Sequence, residues 1–266
     1  AWIIALVAAL AIGLVLRASW DLAERRGQFV TAVTHELRTP LTTFCLYSQM
    51  LADGMVPDEV RRKEYFTTLR AESHRLSRIV ESVLDYARLG RNKPARNSDA
   101  IPLGELVDQF VGTLSARCEQ SGMTLVVERD PSADALIATD AATVERILYN
   151  LVDNACKYAA AAADRRIHLE VRIGSKDVKL AVRDHGPGVE TTDRSSIFRA
   201  FVRGGRHADG SIAGLGLGLA LARGLADQLG GELLLNAAPP DSGAAFTLSL
   251  PLVSMAKGSQ KSPAPR

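Results

Sequence analysis

Hydrophobic residues in the first third of the chain recur every seven positions, which is the spacing of a helix that buries one seam. In residues 18–53 this seam consists of Val30, Leu37, Leu41, Phe44 and Leu51. After a turn with glycine and proline, a second helix repeats the spacing with Leu69, Leu76, Ile79, Val83 and Tyr86. Two such helices joined by a short turn predict an antiparallel hairpin. Because a lone hairpin buries only one seam, we expect two copies to pair as a homodimeric four-helix bundle.

The remainder of the chain mixes strand and helix patterns. Short apolar runs, several of them alternating with polar residues, predict strands at 123–128, 166–173, 178–184, 231–238 and 244–252. Longer runs with helical spacing predict one helix over 140–162, capped by Asp140, and another over 217–231 that ends in glycine. This mixture predicts an α+β domain in which a layer of helices covers a mixed sheet.

The chain begins with an uncharged apolar run from Ala1 to Leu16. As a helix this run spans about 24 Å, which is short of the roughly 30 Å of bilayer hydrocarbon. Arg17, Arg25 and Arg26 follow, and positive flanks favour the cytoplasmic side. We expect the end of a membrane helix here, so that the protein sits at the inner membrane with its larger part in the cytoplasm. A signal-peptide core and a buried core helix are the alternatives.

Polar segments suggest where the domains divide. Residues 88–100 are polar, basic and contain proline, which predicts a linker, and the polar end of the chain predicts disorder. The expected organisation is a membrane helix over 1–17, a helical hairpin over 18–90, a linker over 91–100, an α+β domain over 101–253 and a tail over 254–266.

Composition narrows the classes of function. With 266 residues and 47% hydrophobic content the chain can bury a substantial core. A net charge of +2 argues against a dedicated nucleic-acid-binding protein. Cys45, Cys118 and Cys156 are far apart and lack CxxC spacing. They are therefore expected to be reduced thiols rather than a disulfide framework or a zinc site.

The motif "DHGPG" follows a predicted strand. Asp184 ends that strand, while Gly186 and Gly188 let the backbone turn sharply and approach a ligand closely. A buried carboxylate at this point can accept a hydrogen bond from an exocyclic amine such as that of adenine. A plain Gly-Pro turn is the alternative interpretation.

A second glycine-rich motif, "GLGLGLALAR", precedes a predicted helix. Gly214, Gly216 and Gly218 allow close approach, and the free N–H groups of the helix start form an anion site. The motif is not a P-loop, because the Lys-Ser or Lys-Thr ending is absent, nor a Rossmann loop, because no strand leads into it. The preceding stretch 203–214 has the composition of a mobile lid. A flexible loop followed by a helix is the alternative.

The third motif, "NLVDNACKY", lies within a predicted helix. Asn150, Asn154, Lys157 and Tyr158 are spaced by four, three and one, so they share a face of the helix. Asparagine oxygens are suitable ligands for Mg²⁺, and the lysine suits a phosphate. A solvated polar stripe would show the same spacing.

Taken together these motifs resemble a known family. "NLVDNACKY", "DHGPG", "IFRAFVRG" and "GLGLGLALAR" resemble the N, G1, F and G2 boxes of the Bergerat ATP-binding fold, and "THELRTPLT" resembles the H box of sensor histidine kinases. The resemblance extends from about residue 28 to 252. It implies a multi-domain protein in which an all-α hairpin, forming a dimeric four-helix bundle, precedes a two-layer α+β ATP-binding domain.

The resemblance also implies roles for individual residues. Asn154 is expected to coordinate Mg²⁺, Lys157 to contact phosphates and Asp184 to bind the adenine amine. Phe198 and Phe201 are expected to anchor the lid. The full set of expected nucleotide-binding residues is Asn150, Asn154, Lys157, Tyr158, Asp184, Gly186, Gly188, Phe198, Phe201, Gly214, Leu215, Gly216, Leu217 and Gly218. Leu215 stands where many relatives have a small or polar residue, so any contact there is expected from its backbone.

In the first helix, the resemblance makes His35 the phosphoacceptor. His35 lies two positions before the core-facing Leu37, which is roughly 200° around a helix. Its ring should therefore face solvent. Glu36 can accept the ring proton as phosphorus is attacked. Thr39, one turn later, would orient a water that removes phosphate from the partner protein. Pro40 removes a helical N–H and should kink the helix just below His35.

The sequence therefore predicts a sensor histidine kinase that uses ATP and Mg²⁺ to phosphorylate His35. The phosphoryl group would pass to an aspartate of a response regulator, and the protein is expected to act as a phosphatase of that regulator as well. A Bergerat-fold ATPase that couples hydrolysis to a change of shape is one alternative, and a degenerate kinase that serves as a scaffold is another. No nucleic acid is expected as a partner.

Overall fold

The computed structural model describes residues 2–89, 100–130, 135–202, 214–236 and 243–252. The expected linker and lid fall almost wholly outside these ranges, and the expected tail falls entirely outside them. The chain divides into two compact units, one formed by residues 1–85 with 213–217 and the other by residues 86–212 with 218–266.

The first unit is a pair of long helices, α1 (Trp2–Ala52) and α2 (Glu59–Arg88). Asp58 caps α2, because its carboxylate accepts the N–H of Val60 at 3.0 Å. The rings of Tyr47 and Tyr65 lie 4.4 Å apart across the two helices, and Arg75 on α2 pairs with Glu36 on α1. Positions that are later in α1 thus face positions that are earlier in α2, which confirms the predicted antiparallel hairpin.

α1 runs unbroken through the apolar segment at the start of the chain and the first helix of the hairpin. Among the residues that the structure describes, no helix is long and apolar enough to cross a membrane. The membrane helix expected over 1–17 stays a prediction.

The second unit is built on a five-stranded mixed sheet with the order β2-β4-β5-β7-β6, in which β2 is parallel to β4 and the other neighbours are antiparallel. Its strands are β2 (Thr124–Arg129), β4 (Arg166–Ile173), β5 (Asp177–Arg183), β6 (Glu232–Leu235) and β7 (Ala245–Pro251). A separate antiparallel pair joins β1 (Ala100–Pro102) to β3 (Leu136–Ala138). The helices of this unit are α3 (Leu103–Gln120), α4 (Ala141–Tyr158) and α5 (Gly218–Gln228).

The core of the second unit lies between one face of the sheet and the three helices. Alternation along β4 buries Ile167, Leu169 and Val171, while Glu170 and Arg172 point to the opposite, polar face. The helices contribute the other half of the core, with Phe110 of α3 and Leu148 of α4 almost fully buried. The predicted α+β domain is confirmed as a two-layer arrangement.

Most predicted elements of this unit are present, with shifted ends. Asp140 caps α4 as predicted, since its carboxylate accepts the N–H of Ala142 at 3.2 Å. The helix ends at Tyr158, four residues before the predicted end at 162. Helix α3 and the pair of β1 and β3 were not predicted.

Candidate nucleotide site and phosphoacceptor

Asp184 follows β5 directly and is 5% exposed. Its Oδ1 accepts two backbone hydrogen bonds, from the N–H of Gly186 at 2.8 Å and from the N–H of Ala244 at 3.1 Å. Burial raises the pKa of Asp184 above its usual range, although both N–H groups oppose the shift. Both bonds fall on Oδ1, which fixes the carboxylate and leaves Oδ2 to accept a ligand donor.

The glycines of the same loop permit close contact with two other segments. A Cβ atom on Gly186 would lie 3.1 Å from the Tyr158 carbonyl oxygen, so the loop packs on the end of α4. Gly188 has a φ angle of +73°, and a Cβ there would lie 2.9 Å from the carbonyl oxygen of Gly243. These contacts favour glycine at both positions of "DHGPG", most strongly at Gly188.

The middle of α4 faces the start of α5. A Cβ atom on Gly218, the first residue of α5, would lie 3.4 Å from Asn150 Oδ1 and 3.7 Å from Asn154 Oδ1. The Asn150 amide also donates to the Arg146 carbonyl at 2.9 Å. The structure therefore brings together two asparagines and one glycine that the sequence analysis proposed from separate motifs.

Lys157 lies in an ion-pair network that the sequence analysis did not foresee. Its ammonium is 2.5 Å from Asp153 Oδ2, and Arg117 Nε of α3 is 2.8 Å from Asp153 Oδ1. Burial alone would raise the pKa of Asp153, but the two cations outweigh it and hold that pKa below its usual range. This network is hard to predict from the sequence, because Arg117 is 36 residues from Asp153 and lies on a helix that was not predicted.

The two phenylalanines of "IFRAFVRG" pack against different neighbours. The Phe198 ring meets the Phe246 ring edge to face at 6.1 Å, and the guanidinium of Arg223 lies over Phe198 at 5.1 Å. Phe201 has a φ angle of 65° and meets Tyr86 at 5.8 Å. Both residues lie in a stretch of turns after β5, at the edge of the undescribed stretch 203–213.

Residues 214–217, the first part of the second glycine motif, belong to the first compact unit. Gly214 and Gly216 have positive φ angles, and Leu215 and Leu217 are buried. Only Gly218, the last glycine of the motif, belongs with Asn150 and Asn154 in the second unit.

On the hairpin, His35 is exposed as expected, and so is Thr39. The Glu36 carboxylate is largely buried and receives the Arg75 guanidinium at 3.3 Å. Pro40 lies inside α1, which continues for twelve more residues to Ala52. The kink expected at Pro40 stays a prediction.

The residues near Gly218 fit a magnesium ion held jointly with a nucleotide. In the described parts of the chain, no group of three or more His, Cys, Asp or Glu side chains is arranged to hold a metal ion. The amide oxygens of Asn150 and Asn154 are hard donors, and no Cβ at Gly218 fills the space beside them. Mg²⁺ commonly takes few protein ligands and completes its shell with phosphate oxygens and water, which suits such a site.

Comparison with known proteins gives the same two domains. Residues 25–92 match the family described as His Kinase A (phospho-acceptor) domain, and residues 139–254 match the family described as histidine kinase-, DNA gyrase B- and HSP90-like ATPase. The first range contains His35, and the second contains all three nucleotide motifs.

Individual proteins that resemble this chain over most of its length include sensor kinases. The sensor-like histidine kinase SenX3 of Mycolicibacterium smegmatis is 30% identical over 85% of this chain, which covers 57% of SenX3. The autoinducer 2 sensor kinase/phosphatase LuxQ of Vibrio cholerae is 28% identical over 89% of this chain, which covers 27% of LuxQ. The structure of full-length ShkA in complex with AMPPNP is 26% identical, with a TM-score of 0.59, over 85% of this chain and 46% of that one.

The chain thus spans from about a quarter to just over half of the length of these relatives. It belongs to the sensor histidine kinases, with a phosphoacceptor hairpin followed by a Bergerat-type ATPase domain.

Proposed function

We propose that the chain is the catalytic core of a sensor histidine kinase that moves the γ-phosphoryl group of ATP to His35. The observation that carries this proposal is that α4 is in contact with both candidate ends of a nucleotide site. Its C-terminal residue Tyr158 meets the Asp184 loop through Gly186, and its middle, at Asn150 and Asn154, meets the start of α5 at Gly218. Eight residues of helix separate these contacts by about 12 Å, so one rigid element sets their spacing.

The nucleotide would bind along α4. Asp184 Oδ2 would accept the adenine amine, since Oδ1 is held by the backbone. The first N–H groups of α5 would receive phosphate oxygens, because they lack partners within the helix. Asn150 and Asn154 would hold Mg²⁺, which supplies charge neutralisation as the phosphoryl group is transferred. Lys157 would place a positive charge beside the phosphates.

His35 would act as the nucleophile. A ring nitrogen forms the bond to the γ-phosphorus, the bond from that phosphorus to the β–γ bridging oxygen breaks, and ADP leaves with the electron pair. Glu36 would take up the ring proton. The exposure of His35 on α1 lets an ATP-bound domain reach it.

The hairpin would act as a homodimer. Three seam residues of α1 remain exposed within one chain, Val30 at 60%, Leu41 at 52% and Phe44 at 36%, and Val80 and Leu84 of α2 are exposed as well. Apolar residues at heptad positions favour burial against a second hairpin. A four-helix bundle of two chains would cover them.

A response regulator would be the next partner. The phosphoryl group on His35 would pass to an aspartate of its receiver domain. LuxQ is a sensor kinase/phosphatase, and Thr39 lies exposed one turn after His35, where it can orient a water for the reverse reaction. An ATPase without phosphotransfer and a degenerate scaffold are less well supported, because the match to the phosphoacceptor family includes His35 and Thr39.

A labelling experiment tests the proposal. The chain is incubated with Mg·ATP labelled at the γ-phosphate, and acid-labile, alkali-stable label is measured on the protein. Wild type and His74→Ala should take up label, whereas His35→Ala should take up none. His74 is a suitable control because it is an exposed histidine on the same hairpin. Label that persists in His35→Ala would refute the assignment of the phosphoacceptor.

A further inference from the structure

Arg117, Asp153 and Lys157 form a three-membered ion-pair network between α3 and α4. Asp153 is central to it, because each of its carboxylate oxygens meets a different cation. The Arg117 and Asp153 side chains are only 14% and 17% exposed, while Lys157 is 33% exposed. The most accessible charge of the network is therefore the lysine ammonium on the face of α4 that carries Asn154.

Asp153 fixes the direction of the Lys157 side chain. The two residues are four positions apart, so they lie one helical turn from each other on α4. Their contact draws the ammonium back toward the turn that contains Asn154, the proposed magnesium ligand. Without it, a lysine at the last turn of a helix would sample many rotamers.

Arg117 determines the charge that this lysine presents. A Lys–Asp pair alone is neutral and would attract a phosphate weakly. With Arg117 on the other carboxylate oxygen, two cations and one anion leave one net positive charge. Arg117 is itself held in place, because it also donates to Ser121 Oγ at 2.5 Å.

Resting on the proposed nucleotide site, we infer that Arg117 is a positioning residue for ATP phosphates, which acts through Asp153 on Lys157. Arg117 lies on the far side of Asp153 and would not need to touch the nucleotide. Its effect would be electrostatic, and it would be greatest on the binding of Mg·ATP. The phosphoryl-transfer step, which uses His35, should change much less.

Charge rescue tests the inference. Arg117→Gln leaves a neutral Asp153–Lys157 pair and should weaken Mg·ATP binding about tenfold, the size expected for one lost charge at a partly screened distance. The double variant Arg117→Gln with Asp153→Asn restores one net positive charge and should bind more tightly than Arg117→Gln alone, but less tightly than the parent, because Lys157 loses the contact that directs it. If Arg117 only held α3 to α4, the double variant would bind no better than Arg117→Gln, and the inference would be overturned.

Binding is measured by calorimetry with Mg·ATP on chains that also carry His35→Ala, so that no phosphoryl transfer occurs. Arg129→Gln is the matched control, because Arg129 pairs with Asp108 at the other end of α3 and should leave binding unchanged. In chains with His35 intact, Arg117→Gln should raise KM for ATP with kcat changed less than about twofold.

The outcomes separate two failures. If His35→Ala binds no Mg·ATP at all, the proposed function fails. If it binds but Arg117→Gln binds equally well, only the role of Arg117 fails. Should Arg117→Gln not fold, Asp153→Asn and the double variant still decide the question, because neither leaves an unpaired carboxylate. The first carries one more positive charge than the second, so it should bind Mg·ATP more tightly, and equal or weaker binding would contradict the inference.

Discussion

The Arg75 guanidinium lies 3.3 Å from the Glu36 carboxylate, so α2 holds the residue that follows the proposed phosphoacceptor. Both side chains are partly buried between the helices. Glu36 thus has a structural partner in addition to its proposed role as acceptor of the His35 proton. A variant of Glu36 alone would not distinguish these two roles.

A pair of amide variants distinguishes them. Glu36→Gln and Arg75→Gln each remove the ion pair and leave an amide that can still form hydrogen bonds. If Glu36 accepts the proton, Glu36→Gln should slow labelling of His35 by about 10²-fold or more, the usual contribution of a general base. Arg75→Gln should slow it less than about threefold. Single-turnover labelling at saturating Mg·ATP measures both rates, and equal losses would assign Glu36 a structural role only.

Asp184→Asn should abolish tight nucleotide binding while preserving the fold. The amide oxygen can still accept the N–H groups of Gly186 and Ala244, but the amide nitrogen at the other position cannot accept the adenine amine. We expect Mg·ATP to bind at least about thirtyfold more weakly, by analogy with sites that leave a polar group unpaired. Calorimetry measures the affinity, and a loss below about threefold would contradict the role of Asp184.

The same variant has a predictable effect on stability. Burial raises the pKa of Asp184, so the native chain binds this proton more tightly than the unfolded chain does. The stability linked to this proton is complete below the unfolded pKa and is lost as pH rises through the native pKa. Asn cannot ionise, so Asp184→Asn should unfold at an equal or higher temperature than wild type at pH 7. A thermal melt of both proteins without nucleotide checks this, and a clearly lower Tm for the variant would contradict it.

Gly243 lies two residues before the start of β7 and allows the chain there to approach the Asp184 loop closely. Its φ angle is +84°, and a Cβ atom there would overlap with the Asp184 carbonyl oxygen. Gly243→Ala should therefore cost more than the ~1 kcal/mol of an unfavourable backbone angle alone, and it should weaken Mg·ATP binding. Gly230→Ala is the matched control, since Gly230 has a φ angle of +71° with open space around it. Equal losses in the free energy of unfolding for the two variants would show that small backbone shifts relieve the overlap at position 243 with little loss of stability.

The three cysteines should react at very different rates. Cys45 is exposed on α1, whereas Cys118 and Cys156 are buried. A hydrogen bond from Cys118 lowers the pKa of the Cys156 thiol below its ordinary value, against the effect of burial and with help from Arg117. Burial should nevertheless keep a thiol reagent away from Cys118 and Cys156. A thiol titration of the native chain should therefore find one fast-reacting cysteine, whereas a titration of the denatured chain should find three. Rapid modification of Cys156 in the native chain would show that α3 and α4 separate readily.

The hairpin and the strands could be predicted from sequence because their signals are local. The heptad spacing of Leu37 and Phe44 and the alternation around Leu169 each follow from one element burying one face. Helix α3 also carries such a signal, because Leu103, Leu106 and Phe110 are buried and have helical spacing. The membrane helix expected over 1–17 stays a prediction, because apolar content alone does not show where a helix ends.

Other parts of the site could not be read from the sequence. Arg75 meets Glu36 across 39 positions, and Ala244 meets Asp184 across 60, so only the folded chain brings these partners together. Arg117 is similarly remote from Asp153. Motifs identify residues that contact a ligand, whereas the residues that position them are distributed by the tertiary fold.

The most direct test of His35 as the phosphoacceptor is to locate the phosphate on the chain. After incubation with Mg·ATP, the protein is digested at neutral to alkaline pH, where phosphohistidine survives, and its peptides are mapped by mass spectrometry. We expect one phosphate on the peptide that contains residue 35, at the histidine, and none on the same peptide when Asp184→Asn is used. Phosphate on another residue, or an unmodified His35 in a chain that demonstrably binds Mg·ATP, would contradict it.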